Sequence, residues 1–191
     1  MKRILTSSSM IGMLFWLFFS ASLAADVPPA KEDLLQKTNL AIPNSPEEKN
    51  YLGLSGSGNF RIPQIKADLV LIEIFSMYCP YCQADAPKIN ELYQLIEKDP
   101  ALKNKIKMIG IGAGNTPFEV EVFKKTYQVP FPLFPDKDFV VHKIWGEPRT
   151  PYFVIAKINA DRTYQILHTQ LGNFPGAEPF LELVLKASGL K

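Results

Sequence analysis

Residues 67–82 read ADLVLIEIFSMYCPYC, and the fold class follows from this stretch. Asp68 to Phe75 is a nearly continuous run of β-branched residues and Leu, the composition of a strand buried on both faces, so it is expected as a central strand. After Ser76 to Cys82 a helical pattern runs to about Lys98, with Ile89, Leu92, Tyr93 and Ile96 at three- and four-residue spacing. Pro87 interrupts that pattern and predicts a kink. Cys79 and Cys82, the only cysteines in the chain, therefore stand where a buried strand passes into a helix.

Downstream, Lys107 to Gly112 reads as a second apolar strand. Pro117 to Tyr127 reads as a helix with Thr116 as N-cap and Pro117 at its first position. Phe139 to Trp145 is a short helix, and Tyr152 to Ile158 and Tyr164 to Gln170 are strands joined by the polar turn Asn159 to Arg162. Pro179 to Ala187 is a terminal amphipathic helix. Strands alternating with helices predict an α/β protein, a mixed central sheet with helices on both faces. Upstream, Tyr51 to Leu54 and Phe60 to Ile62 flank the Gly/Ser segment Ser55 to Asn59, a hairpin composition, with Pro63 confining the second arm to an edge. Residues 25–50 are polar and Pro-bearing and read as a linker with a marginal helix around Leu34 and Leu35, leaving residues 51–191 as the single domain.

Residues 1–24 read as a secretory signal peptide. Lys2 and Arg3 open it, Met10 to Phe19 is almost wholly apolar, and Ser22 and Ala24 are small residues at the positions a cut requires. The alternative is an uncleaved N-terminal segment that anchors the chain to the membrane, against which stands the length of the run, too short to cross a bilayer needing about twenty residues. Its removal takes two basic residues, so the 21 of the whole chain fall to 19, equal to the 19 acidic ones. That balance argues against nucleic acid or an anionic membrane surface as partner, because both select for excess Lys and Arg.

A thiol at a helix N-terminus has its thiolate stabilised by unpaired N–H groups and the helix dipole, and the thiolate is the nucleophile in disulfide exchange. A second thiol in the same helical turn can attack the mixed disulfide that the first one forms. A permanent structural disulfide is the rival reading, but a bridge spanning two intervening residues closes a very short loop and constrains the unfolded chain little. A zinc site would have to recruit His142 and His168, which lie far apart in sequence. Haem attachment needs His after the second Cys, where Gln83 stands. His142 and His168 read as ordinary surface or core residues, and Trp145 either packs beside the cysteines or fills the core.

With these residues in place the chain resembles the thioredoxin superfamily, most closely its exported TlpA/ResA-like and redoxin branch, over roughly residues 65–189. Glu73 lies six residues before Cys79, where thioredoxins carry a buried acid. Pro87 lies five after Cys82, at the family's helix kink. Thr150-Pro151 precedes a strand, as the family's cis-proline does, and Gly172 follows the next strand. Residues 110–136 resemble the extra βα unit of that branch. The resemblance implies a thioredoxin fold with a βα insertion and a thiol:disulfide oxidoreductase needing no cofactor. Cys79, Cys82, Glu73 and Pro151 would be catalytic, and Pro80, Tyr81 and Thr150 would meet the substrate. It further implies an extracytoplasmic, periplasmic-type location, protein thiols and disulfides (apocytochrome-like ones included) as substrates, and a membrane or periplasmic redox partner. Buried among apolar neighbours, Glu73 would have a raised pKa suited to exchanging protons with Cys82. Pro-Tyr between the cysteines is the dipeptide glutaredoxins usually carry.

Two other readings use the same cysteines. A peroxiredoxin-like peroxidase is suggested by Ser76, three residues before Cys79, but that family's Pro is missing at position 72, where Ile72 stands. Met77-Tyr78-Cys79-Pro80-Tyr81-Cys82 matches the Met-x-Cys-x-x-Cys of copper carriers, and thiolates suit Cu(I). Reversible dithiol–disulfide interconversion without metal separates exchange from copper carriage.

Overall fold

The computed structural model describes residues 33–190; the segment read as a signal peptide lies outside them. The strands β1 (Asn39–Ala41) and β2 (Asn59–Arg61) form a small antiparallel pair. The main sheet has five strands, β3 (Leu69–Phe75), β4 (Ile106–Ala113), β5 (Leu133–Asp136), β6 (Tyr152–Ile158) and β7 (Tyr164–Leu171), in the order β5-β4-β3-β6-β7. Its β3–β4 and β4–β5 pairs are parallel, and β3–β6 and β6–β7 are antiparallel. Every residue of β3 is buried, as its unbroken apolar run predicts for the middle of a two-sided sheet.

Crossovers supply the helices. α3 (Pro80–Lys98), with Pro87 inside it, links β3 to β4, and α4 (Pro117–Thr126), capped by Thr116, links β4 to β5. This is the expected βα insertion. The strand at its end starts at Leu133, because Pro130 and Pro132 have no N–H to donate; Pro132 instead accepts from Gly110 N at 3.0 Å. α5 (Val140–Ile144) precedes β6, and α6 (Ala177–Ser188) follows β7.

Strand alternation divides β3 between two cores. Leu69, Leu71 and Phe75 pack with α3, α4 and α6, through Cys82, Ile89, Leu92, Phe123, Phe180 and Val184. Glu73 shares their parity. Val70, Ile72 and Ile74 face the other way, against Leu34, Leu35, Leu40, Leu52, Phe60, Val141 and Trp145.

Two readings of the N-terminal region are corrected here. From residue 33 the supposed linker carries α1 (Leu34–Lys37), β1 and α2 (Pro46–Leu52), and buries Leu34, Leu35 and Leu40 in the second core. Each such side chain contributes roughly 1.5–3 kcal/mol on burial, which outweighs the segment's polar average. Residues 51–54 are not a hairpin arm. Ser45 caps α2 and accepts from Glu48 N, Pro46 occupies its first position and Gly53 closes it in the left-handed region at φ 65, so Tyr51 and Leu52 end a helix. β2 pairs with β1 instead, Leu40 opposite Phe60.

Candidate active site

Cys79 is the N-cap of α3. Its Sγ accepts from Cys82 N at 3.3 Å, and Pro80, which has no N–H, takes the first helical position. Cys79 is partly exposed and Cys82 fully buried. As a thiol, Cys79 donates to the carbonyl of Thr150 at 3.4 Å, and the Thr150-Pro151 peptide is cis. The β3–β6 register explains that proximity, because Ile74 pairs with Tyr152 and the two strands bring the Cys79 and Thr150 loops to one end of adjacent rungs.

The two sulfurs differ in acidity. Burial opposes the Cys79 thiolate, but hydrogen bonds from the Cys82 and Thr150 side chains and from the Cys82 and Tyr81 backbone outweigh it and hold this thiol below its ordinary value. Burial pushes the Cys82 thiol strongly up, and the neighbouring Glu73 and Cys79 push it further. Glu73, 7% exposed, has no hydrogen-bond partner for Oε1. Desolvation first, then the charges of Asp85 and Cys79, raise its carboxyl to about 8. A cavity of about 10 Å³ beside it is otherwise walled by apolar side chains such as Leu71, Ile89, Phe153 and Phe180.

The turn before Cys79 is pinned from two sides. Fully buried Asn115 accepts from Met77 N through Oδ1 at 2.8 Å, and Gln83 Nε2 donates to Met77 O at 2.7 Å. The Tyr78 hydroxyl donates to Glu119 Oε1, while Glu119 Oε2 accepts from Thr116 N at 2.7 Å in the capping box of α4. The inserted βα unit therefore anchors the cysteine loop.

Of the site residues read from the sequence, Cys79, Cys82, Thr150 and Pro151 converge, with Glu73 close enough to shift Cys82. Pro80 and Tyr81 lie on the exposed outer side, and Tyr81 lines a groove of about 720 Å³ with Arg149, Thr150, Pro151 and β7 residues including His168. His142 borders a cleft with Cys79, but its Nε2 is 2.9 Å from Pro148 O. Trp145 fills the core, donating Nε1–H to Thr38 Oγ1 at 2.8 Å. Met77 packs against the core. Among the described residues no three metal-ligating side chains gather. Sequence reasoning missed Asp85, a buried carboxylate three residues beyond Cys82, paired with Lys88 at 3.0 Å. Its one signal is an acid among the inward positions Cys82, Ala86 and Ile89 of α3. Asn115 and Glu119 carry no such signal.

Residues 48–169 match the AhpC/TSA family. Thiol-disulfide oxidoreductase ResA of Bacillus thuringiensis subsp. konkukian is 30% identical over 98 residues, 50% of this chain and 53% of that protein. The chain thus spans about half the length of the curated relatives it matches first. Among solved structures, a secreted Mycobacterium tuberculosis disulfide oxidoreductase homologous to E. coli DsbE superposes with a TM-score of 0.54 at 18% identity, covering 84% of this chain and all of that one. StoA from Bacillus subtilis gives a TM-score of 0.54 at 17% identity, over 76% and 96% of the two chains. These likenesses carry the fold, and the family match takes in β3, both cysteines and Thr150-Pro151. The chain is a member of the AhpC/TSA family built on a thioredoxin-like fold.

Proposed function

We propose that the chain is a thiol:disulfide oxidoreductase acting outside the cytoplasmic membrane as a reductant of protein disulfides, with Cys79 attacking and Cys82 resolving. The observation that carries this reading is the split between the sulfurs, one partly exposed with a lowered pKa, the other buried with a raised one. The name of the ResA relative supports the activity, and the N-terminal signal-like segment and the secreted M. tuberculosis neighbour support the location.

In the proposed reaction the Cys79 thiolate attacks one sulfur of a partner disulfide. That S–S bond breaks, the partner's other sulfur leaves as a thiolate, and a mixed disulfide forms at Cys79. Cys82 then loses its proton and attacks Cys79 Sγ, which releases the partner's second thiol and closes the Cys79–Cys82 disulfide. Two electrons and two protons pass to the partner. Glu73 would take the Cys82 proton, and Asp85, whose charge bears on Glu73 and which pairs with the exposed Lys88, would offer that proton a way out. Thr150 and Pro151 would hold the partner's backbone beside the sulfurs, with Pro80 and Tyr81 shaping the approach.

Two variants test the assignment. Cys82→Ala should accumulate mixed disulfides visible on non-reducing electrophoresis, and Cys79→Ala should form few. Equal trapping by both, or by neither, defeats the exchange mechanism. Loss of copper from both variants alike would indicate a metal carrier, and peroxide consumption outpacing disulfide exchange would indicate a peroxidase.

A further inference from the structure

The cleft of about 510 Å³ that opens on Cys79 has the size of a small-molecule site, and its wall includes Gly114, Phe139, Glu147 and Arg149. Strained backbone is concentrated there. Phe139 and Glu147 have φ of 57 and 56, in the left-handed region where side chains are rare, and Gly114 has φ 68. A Cβ at Gly114 would run into the Phe139 ring. Glu147 is the odder of the two, because it precedes Pro148, and extended backbone is the norm before proline. Glycine would relieve that position. The Glu147 side chain is nevertheless exposed, and it enters no ion pair among the described residues. Folding supplies no reason for a carboxylate here, whereas strain of this kind collects at ligand clamps.

Arg149, two residues on, is likewise exposed and joins no ion pair among the described residues. The cleft thus carries one anion and one cation, not engaged with each other, beside a nucleophilic sulfur. His142, the other basic side chain of the wall, already has its Nε2 2.9 Å from Pro148 O. A free amino acid presents the complement, an α-ammonium for Glu147 and an α-carboxylate for Arg149. A cysteine inside a polypeptide offers neither charge, since both groups are tied up in peptide bonds.

We infer that this cleft seats the zwitterionic half of a free amino-acid disulfide, cystine being the simplest, and presents its sulfur to Cys79. The inference rests on the exchange role proposed for Cys79 and adds a substrate class to it. The Cys79 thiolate attacks the seated sulfur, the cystine S–S bond breaks, and one cysteine leaves as its thiolate. Cys82 then gives up its proton and attacks Cys79 Sγ, which releases the second cysteine. The protein dithiol is oxidised to a disulfide, and two electrons and two protons pass to cystine.

The test uses pre-reduced protein in single-turnover reactions with four small disulfides. These are cystine, cystamine with ammonium groups alone, dithiodipropionate with carboxylates alone, and uncharged hydroxyethyl disulfide. Each rate constant is divided by that of dithiothreitol with the same disulfide, which removes differences in intrinsic reactivity. On this scale cystine should exceed hydroxyethyl disulfide about tenfold, and Glu147→Gln and Arg149→Gln should each lower its lead about threefold. Cystamine should share the first loss and dithiodipropionate the second. No lead for cystine in the parent, or a lead that survives both substitutions, overturns the inference alone. Losses with cystamine and dithiodipropionate but none with cystine would reveal a diffuse field in place of a zwitterion site, and overturn it too. A parent inert toward all four disulfides overturns the exchange reading and this inference with it.

Discussion

The two ends of the sheet bury ionisable groups in opposite ways. At the end away from the cysteines, Lys107 extends over the Tyr51 ring at 4.3 Å from its centroid, donates to Lys103 O at 2.5 Å and lies 3.9 Å from Glu97 Oε1. The Tyr51 hydroxyl accepts from Met108 N at 2.8 Å. Burial pushes the Lys107 ammonium down and the Tyr51 phenol up, but both are hydrogen-bonded, and Glu97 Oε1, which makes no hydrogen bond, lies within ion-pair reach of a cation. Three rungs along the β3–β4 ladder, where Glu73 faces Gly110, a carboxyl is buried with one oxygen unpartnered and two sulfurs of unequal acidity above it. Compensated burial holds a fold together, whereas uncompensated burial keeps a proton ready to move.

Glu73→Gln should produce the largest effect on that contrast. A carboxyl raised from its ordinary value of 4.5 to about 8 keeps, in the folded state, a proton that the unfolded chain gives up. Stability should therefore fall as pH rises from the lower value to the higher and level off above it. Glu73→Gln should remove that decline, leaving the variant roughly a few kcal/mol more stable than the parent at pH 9 and little different at pH 4. Denaturant midpoints of the reduced proteins across that range measure it. Parallel stability curves for parent and variant would place Glu73 among the compensated groups. The parent's resolving rate should rise as pH passes through about 8, and the same variant should lack that rise.

Removal of Lys107 should cost stability and spare chemistry. Lys107→Ala strips the stem covering Tyr51 and leaves Glu97 unpaired, at roughly 1–3 kcal/mol; Lys107→Met keeps the stem and should cost less than about 1 kcal/mol. Thermal melts read the stability and single-turnover exchange reads the chemistry. If Lys107→Met slowed exchange as much as Glu73→Gln, the contrast between the two ends would collapse.

Asn115→Ala is the subtlest change. It leaves Met77 N without its acceptor, at about 1–2 kcal/mol, and frees the turn that aims Cys79. Its particular signature is in the pH profile of Cys79 alkylation, which should move toward higher pH; Asn115→Asp, which keeps an acceptor, should restore much of it. An unmoved profile would reduce Asn115 to a packing residue.

What the sequence disclosed follows from how locally each feature is encoded. The buried strand, the helix begun at the cysteines and the capped α4 are written in contiguous residues, and the structure reproduces them to within a residue or two. Glu73 and Thr150-Pro151 were legible only as offsets shared with a family, since nothing in the neighbours of Thr150 points to a sulfur 71 residues earlier. Within the N-terminal layer the short helix at Leu34 and Leu35 was legible, but the strand and helix that follow were misread because the polar average hides Leu40 and because burial of all three needs a sheet face built from distant strands. Asn115 and Thr38 act across 38 and 107 residues, by bonds to Met77 and from Trp145. No periodicity announces such pairings.

Pro80 and Tyr81 have one more consequence. Both are exposed, and the first helical position asks only for a residue that needs no N–H partner. Nothing in either core leans on them, while the residues between two such sulfurs tune the reduction potential that a pair of this kind has in thiol–disulfide exchange. In a lineage of such chains, the driving force of the proposed exchange can drift by changing this dipeptide, under selection from whatever disulfides the surroundings present, without renegotiating the scaffold.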